Sequence, residues 1–172
     1  MALDRADIER LLALVNAELE LSDVTGEIYL VGGAVMCLAF NTRASTKDLD
    51  AYFEPTKAIR DAAVRIADRE SYPIDWLNDA VKGYLSPQGD FEPYLDLSHL
   101  KVFIARPEYL LAMKCLAMRL GEEFHDEGDI RFLLRYLNIS KYPVAIELVA
   151  KYYPVEQIPQ KTLYALEEML DA

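Results

Sequence analysis

Ile28-Tyr29-Leu30-Val31 is a short apolar run that ends in Gly32-Gly33, and Arg43-Ala44-Ser45-Thr46-Lys47-Asp48-Leu49-Asp50-Ala51-Tyr52-Phe53 follows a second apolar segment. Side chains alternate across a strand. Asp48, Asp50 and Tyr52 are therefore expected on one face, and Leu49, Ala51 and Phe53 on the other, core-facing side. Positions i and i+2 lie roughly 6.6 Å apart along a strand, so both carboxylates can reach a common Mg²⁺. Without a cation the two anions repel, and one has its pKa raised. Two glycines at a strand-to-helix turn let a phosphate approach backbone N–H groups at the helix start, although by themselves they fit a tight turn equally well. Taken together, the glycine pair and the Asp-x-Asp ask for a metal and a phosphate.

Working outward, residues 3 to 20 read as an amphipathic helix, with Ile8, Leu11, Leu12, Val15 and Leu19 at helical spacing. Residues 27 to 31 read as a strand, 34 to 40 as a helix and 48 to 53 as a second strand. Pro55 suits the first turn of a helix reaching Arg69. A third strand is expected over 72 to 77, then a short helix over 78 to 85, a Pro/Gly loop at 86 to 90, and a strand from Leu100 to Ala105. From Pro107 on the pattern is helical: 107 to 120, 126 to 138, 143 to 152 and 160 to 170, with Pro107, Pro143 and Pro159 marking starts. The expected organisation is a mixed α/β half, 1–105, and a helical half, 106–172.

The 172 residues are 52% hydrophobic and 27% charged, the balance of a globular chain and not a disordered one. No apolar run approaches the ~20 residues needed to span a bilayer, and Met1 to Glu20 lacks the form of a secretory leader. Cys37 and Cys115 lie in apolar helical settings and read as reduced structural residues, in keeping with the cytoplasm. A net charge of −11 argues against broad, sequence-independent nucleic-acid binding, which needs many Lys and Arg contacts to phosphate.

Other nucleotide and metal motifs are excluded. Gly-x-Gly-x-x-Gly and Gly-Lys-Ser/Thr are both absent, which removes Rossmann and P-loop readings. Ala51-Tyr52-Phe53 supplies none of the further oxygen ligands of a calcium loop. Lys114 stands out because its helical neighbours Leu110, Leu111, Ala117 and Met118 are all apolar. A lysine there either snorkels outward or pairs with an anion, since burying it unpaired is costly. Asp129, on the face of Phe132, Leu133 and Tyr136, is the expected answer to that charge. Arg43 could hold phosphate oxygens bidentately, whereas Lys47 reads as a surface lysine.

The apolar residue, Gly32-Gly33, and acid-apolar-acid at Asp48-Leu49-Asp50 resemble the signature of the polymerase-β-like nucleotidyltransferase superfamily. Arg43, Ser45 and Thr46 before the acids, with Lys114 and Asp129 on later helices, resemble the group containing abortive-infection-type nucleotidyltransferase toxins and related bacterial proteins. The resemblance covers residues 27 to 136. It implies an α+β core with a mixed sheet and a C-terminal helical subdomain. It also implies transfer of a nucleoside monophosphate from an NTP to a hydroxyl of tRNA, a protein or a small molecule. Asp48, Asp50 and a third carboxylate would hold two Mg²⁺ ions. Asp75, flanked by Ile74 and Trp76 on a strand antiparallel to the second, is the expected third ligand, and Asp96 is its rival. Gly32, Gly33, Arg43, Thr46 and Lys114 would contact the nucleotide, with Asp129 orienting Lys114; the alternative for that pair is a purely structural salt bridge. The other implied role is a catalytically degenerate binder in a toxin–antitoxin or phage-defence system, with an antitoxin-like protein partner.

Overall fold

Residue Asp4 opens the first long helix. Its carboxylate accepts from the Asp7 N–H (2.8 Å) while the Asp7 carboxylate accepts from the Asp4 N–H (3.0 Å), so two N–H groups that a helix start leaves unpaired are satisfied reciprocally. The structure, a computed structural model, describes residues 2–118 and 125–172. The chain divides into two units, one comprising residues up to Gly83 together with Phe91–Ala105, the other Tyr84–Asp90 together with Arg106–Ala172.

The first unit contains β1 (Leu3–Asp4), α1 (Arg5–Leu21), β2 (Gly26–Val31), α2 (Gly33–Leu38), β3 (Ser45–Thr46), β4 (Leu49–Glu54), α3 (Thr56–Glu70), β5 (Leu77–Asn78), β6 (Phe91–Asp96) and β7 (Leu100–Ala105). Five of these strands form one mixed sheet in the order β5-β4-β2-β7-β6. β4 runs antiparallel to β2, β7 parallel to β2, β5 parallel to β4, and β6 antiparallel to β7. Ile28, Leu30, Leu49, Ala51, Phe53, Val102 and Ile104 alternate onto one buried face. The apolar stripe of α1 (Ile8, Leu11, Leu12, Val15, Leu19) and that of α3 (Ile59, Ala62, Ala63, Ile66) are buried with it. Burying each large aliphatic side chain contributes about 1.5–3 kcal/mol, so this layer holds the sheet rigid behind its other face. That second face carries Asp50, Tyr52, Tyr29, Phe103 and Phe91. Tyr29 stacks on Phe103 at 4.8 Å and meets Phe91 edge-on at 5.1 Å.

Two segments of this unit depart from the sequence-based expectation. Residues 72–76 are not a strand. Pro73 cannot donate to a ladder, and Trp76 is drawn into the core, where its indole N–H donates to the Ala63 carbonyl at 2.9 Å. The strand is confined to Leu77–Asn78 and lies parallel, not antiparallel, to β4. The helix expected over 78 to 85 is a 3₁₀ turn, Ala80–Tyr84. β6 was hidden by Pro93, which an edge strand tolerates, and a register shift falls between Pro93 and Leu95.

The second unit holds α4 (Pro107–Leu116), α5 (Asp126–Tyr136), α6 (Tyr142–Ala150) and α7 (Gln160–Met169). Proline opens α4 and α6 inside their first turns and precedes α7, as its fixed φ and missing N–H favour. The helix expected to run from 107 to 120 ends at Leu116, and its expected positions 119 and 120 lie outside the described residues. Segment Tyr84–Asp90 is tied to this unit by tyrosines. The Ser86 N–H donates to the Tyr109 hydroxyl at 3.0 Å, and the Ser86 hydroxyl donates to the Tyr152 carbonyl at 2.6 Å.

Candidate functional site

Val31 and Asp50 are register partners across β2 and β4, so the last residue of one strand stands beside the second residue of the other. The chain then turns at Gly32 with φ 67° and ψ −148°, a conformation essentially reserved for glycine. A Cβ placed on Gly32 would sit 3.2 Å from Asp50 Oδ2. The missing side chain is therefore what brings the turn against the carboxylate. At Gly33 a Cβ would fall 2.1 Å from one Arg43 guanidinium nitrogen and 2.8 Å from Thr46 Oγ1. Gly32, Gly33, Arg43, Thr46 and Asp50 thus converge on one turn.

The Arg43–Thr46 segment is carried there by a two-stranded ribbon. β3 pairs antiparallel with β1, Leu3 opposite Thr46 and Asp4 opposite Ser45. The Thr46 hydroxyl donates to the Asp48 carbonyl at 3.3 Å, and Thr46 is buried. Arg5, at the start of α1, donates to the Leu38 carbonyl and to the Cys37 carbonyl (3.4 Å), which satisfies the end of α2. The glycine turn is fixed at both ends of the short helix it begins.

Asp48 lies one residue before β4, in a bend, so strand alternation does not set its face as the sequence pattern suggested. Lys47 is exposed, as expected of a surface lysine. Asp75 sits in an exposed turn before β5 and not on a strand, which corrects the expectation that it lines the sheet beside the acidic pair. Asp96 is no replacement. It pairs with Lys101 on β7, which pairs with Glu27, placing Asp96 toward the opposite end of β2 from Gly32. The residue that does stand beside Asp50 is Asn78, its register partner on β5.

On the same face, the Tyr29 hydroxyl donates to Glu27 and the Tyr52 hydroxyl to Glu54. Burial first, and the Glu27 bond second, push the Tyr29 phenol up to about 12. For Tyr52 the Glu54 bond is the main cause of the upward shift. Both phenols stay protonated at neutral pH and donate to their glutamates.

Lys114 and Asp129, in the second unit, meet as an ion pair of 2.8 Å. Asp126, one turn earlier on α5, places Oδ1 3.7 Å from the same ammonium. All three residues are more than nine-tenths buried. The sequence reading missed Asp126. The signal for it was its i, i+3 spacing from Asp129, which puts both acids on one helical face in the first turn, where the helix dipole favours anions. Cys115, next to Lys114, is buried, and burial pushes its thiol up to about 12, far from a reactive thiolate.

The carboxylate of Asp50 is the kind of donor that a hard divalent cation takes. Mg²⁺ is usually held by one or two carboxylates, with waters and substrate phosphates completing its octahedron. Asp50 beside the glycine turn is one such donor, and Asp48, two residues earlier, lies in the bend before β4. Among the described residues no group of three or more Asp, Glu, His or Cys is placed to hold a metal, so the expected three-carboxylate set is not assembled.

Comparison with known proteins bears on the fold. No family model and no curated protein matches the chain. Among solved structures the chain is similar to an antigenic nucleotidyltransferase-like protein from Paracoccidioides brasiliensis, with a TM-score of 0.50 and 13% identity over 100% of this chain and 97% of that one. The likeness is one of fold. The chain has a mixed α+β architecture similar to that of this nucleotidyltransferase-like structure. No described helix is long and apolar enough to cross a membrane.

Proposed function

We propose that the protein is a Mg²⁺-dependent nucleotidyltransferase, moving a nucleoside monophosphate from an NTP to an acceptor hydroxyl with release of pyrophosphate. The observation that carries this reading is the meeting of the Gly32-Gly33 turn with Asp50, Arg43 and Thr46. In it, residues 1–105 without the segment Tyr84–Asp90 act as the nucleotidyltransferase core, and that segment belongs with the helical subdomain of 106–172. Asp48 and Asp50 hold the metal. Gly32 and Gly33 leave backbone N–H groups open to phosphate oxygens, Thr46 offers a hydroxyl, and Arg43 offers a planar fork for two oxygens. The resemblance gives Lys114 a nucleotide contact with Asp129 orienting it, and their 2.8 Å ion pair supports the orienting role. Mg²⁺ held by Asp48 and Asp50 would supply neutralisation of the phosphate charge. The catalytic work of the chain is positioning and charge neutralisation.

The test is transfer of label. The protein is incubated with each α-labelled NTP, Mg²⁺ and a cell extract, and the class of molecule that becomes labelled identifies the acceptor. Asp48→Asn should abolish labelling and weaken Mg·NTP binding in a calorimetric titration while the fold stays intact. Unchanged Mg·NTP affinity in that variant removes the reading. Nucleotide binding without any transfer would leave a non-catalytic binder.

A further inference from the structure

Asn78 is the residue that the fold sets beside Asp50. The parallel pairing of β4 and β5 matches Leu49 with Leu77 and Asp50 with Asn78. Paired residues on adjacent strands share a face. Leu49 and Leu77 are both buried, on the helix-covered side. Asp50 and Asn78 are therefore together on the other side, and both are half-buried. The position is firmly held. Asp79, the next residue, is gripped by Arg60 at 2.6 Å and Lys82 at 2.9 Å. Those cations, the Lys82 ammonium foremost, hold its carboxyl below the usual range. Asp79 is thus committed to anchoring the strand end. The Asn78 carboxamide is itself oriented, because its Oδ1 accepts from the Ala80 N–H at 3.4 Å. Its Nδ2 makes no hydrogen bond among the described residues and remains a donor.

We propose that Asn78 is a substrate-binding residue of the Asp50 site, whose Nδ2–H donates to a phosphate oxygen of the nucleotide. This rests on the nucleotidyltransferase reading and adds a specific residue to it. An amide suits the position on charge grounds. A third carboxylate beside Asp50 would strengthen the grip on a bare cation but repel the triphosphate. A neutral donor adds a charge-assisted hydrogen bond without either effect.

The two consequences are separable by binding alone. Free Mn²⁺ affinity is read by electron paramagnetic resonance, and affinity for a non-hydrolysable NTP analogue with Mg²⁺ by calorimetry, on the whole chain. Asn78→Asp should tighten Mn²⁺ binding by about tenfold and weaken the analogue. Asn78→Leu should leave Mn²⁺ affinity unchanged and weaken the analogue by about tenfold or more, the worth of a hydrogen bond to a charged group. Asn78→Ala, smaller and free of steric conflict, serves the same purpose if the leucine variant melts early. Asp50→Asn, which should lose Mn²⁺ binding, tests the underlying site. If Asp50→Asn loses Mn²⁺ while all Asn78 variants bind metal and analogue as the wild type does, the proposal for Asn78 is overturned and the site stands. If Asp50→Asn keeps wild-type Mn²⁺ affinity, the metal site itself fails and the proposal goes with it.

Discussion

At Gly32 the fold and the site make the same demand on one residue. The backbone there (φ 67°, ψ −148°) excludes a side chain, and the space a side chain would take is bordered by the Asp50 carboxylate at 3.2 Å. Gly32→Ala should therefore cost about 1–3 kcal/mol of backbone strain, a drop in Tm of about 2–4 °C per kcal/mol in a chain of this size. It should also weaken Mg·NTP binding by displacing Asp50. Gly33 differs because it begins α2 with ordinary φ, so an alanine there brings no backbone strain. Its Cβ acts instead by pushing aside Arg43 and Thr46. Gly33→Ala should thus lose less stability than Gly32→Ala and still lose nucleotide affinity. Thermal melts and calorimetric titration of the two variants check this, and equal melting of Gly32→Ala and wild type would sink the argument from strain. The glycine pair was readable in the sequence because a glycine requirement leaves no substitute. Asn78 was not, because nothing local marks an asparagine as the partner of a residue 28 positions earlier; only the strand register does.

Among the elements, those with strong local signals were found close to where the sequence put them. The stripe Ile8-Leu11-Leu12-Val15-Leu19 is wholly buried on α1, and prolines mark the starts of α4, α6 and α7. The misreading at 72–77 had a physical cause, since an apolar-acid-apolar triplet suits both a strand and a turn whose tryptophan is pulled inward. The carboxylate expected from that triplet failed with it. The α4–α5 pairing is the element-level feature with the sharpest consequence. Lys114 faces Asp129 at 2.8 Å and Asp126 at 3.7 Å in a buried setting. Lys114→Met should cost about 3–5 kcal/mol, because it strips a cation from buried carboxylates. Lys114→Met/Asp129→Asn should recover only part of that loss, since Asp126 still faces the vacated position, and adding Asp126→Asn should recover more. Melts of the three variants decide the structural half of the question. NTP turnover decides the other half: a stabilised triple variant with wild-type turnover would reduce Lys114 to a core ion pair, and Arg43 would become the main phosphate ligand.

At the scale of the whole chain, the layer of α1 and α3 behind the sheet of the first unit is clasped by Glu18, beside the more exposed Arg10–Glu70 pair at 3.3 Å. Glu18 of α1 is almost buried. It accepts from Arg69 Nη1 at 2.8 Å and from Arg65 Nε at 3.0 Å, both on α3. The Arg69 bond first, and the Arg65 bond and charge after it, hold the Glu18 carboxyl below the ordinary glutamate value of 4.5 against the opposing effect of burial. The folded state therefore prefers the ionised form more than the unfolded chain does. A depressed carboxyl contributes stability that is fully present above the unfolded pKa and is lost as pH falls through the folded one. The two arginines are half-exposed, so solvent screening keeps the contribution on the order of 1 kcal/mol. Glu18→Gln preserves shape and removes the charge. It should lower Tm by about 2–4 °C at pH 7, and the gap to the wild type should close as both are melted at successively lower pH, starting near pH 4.5. Because the clasp ties the two helices that back the sheet, and touches neither Asp50 nor the glycine turn, Mg·NTP affinity at neutral pH should stay at the wild-type value well below Tm. A pH-independent Tm gap would show that Glu18 acts through packing, with its charge irrelevant. A loss of nucleotide affinity in the folded variant would show that the helix layer sets the geometry of the sheet's far face, a coupling that rigid packing of Ile59 and Ile66 against the strands is expected to prevent.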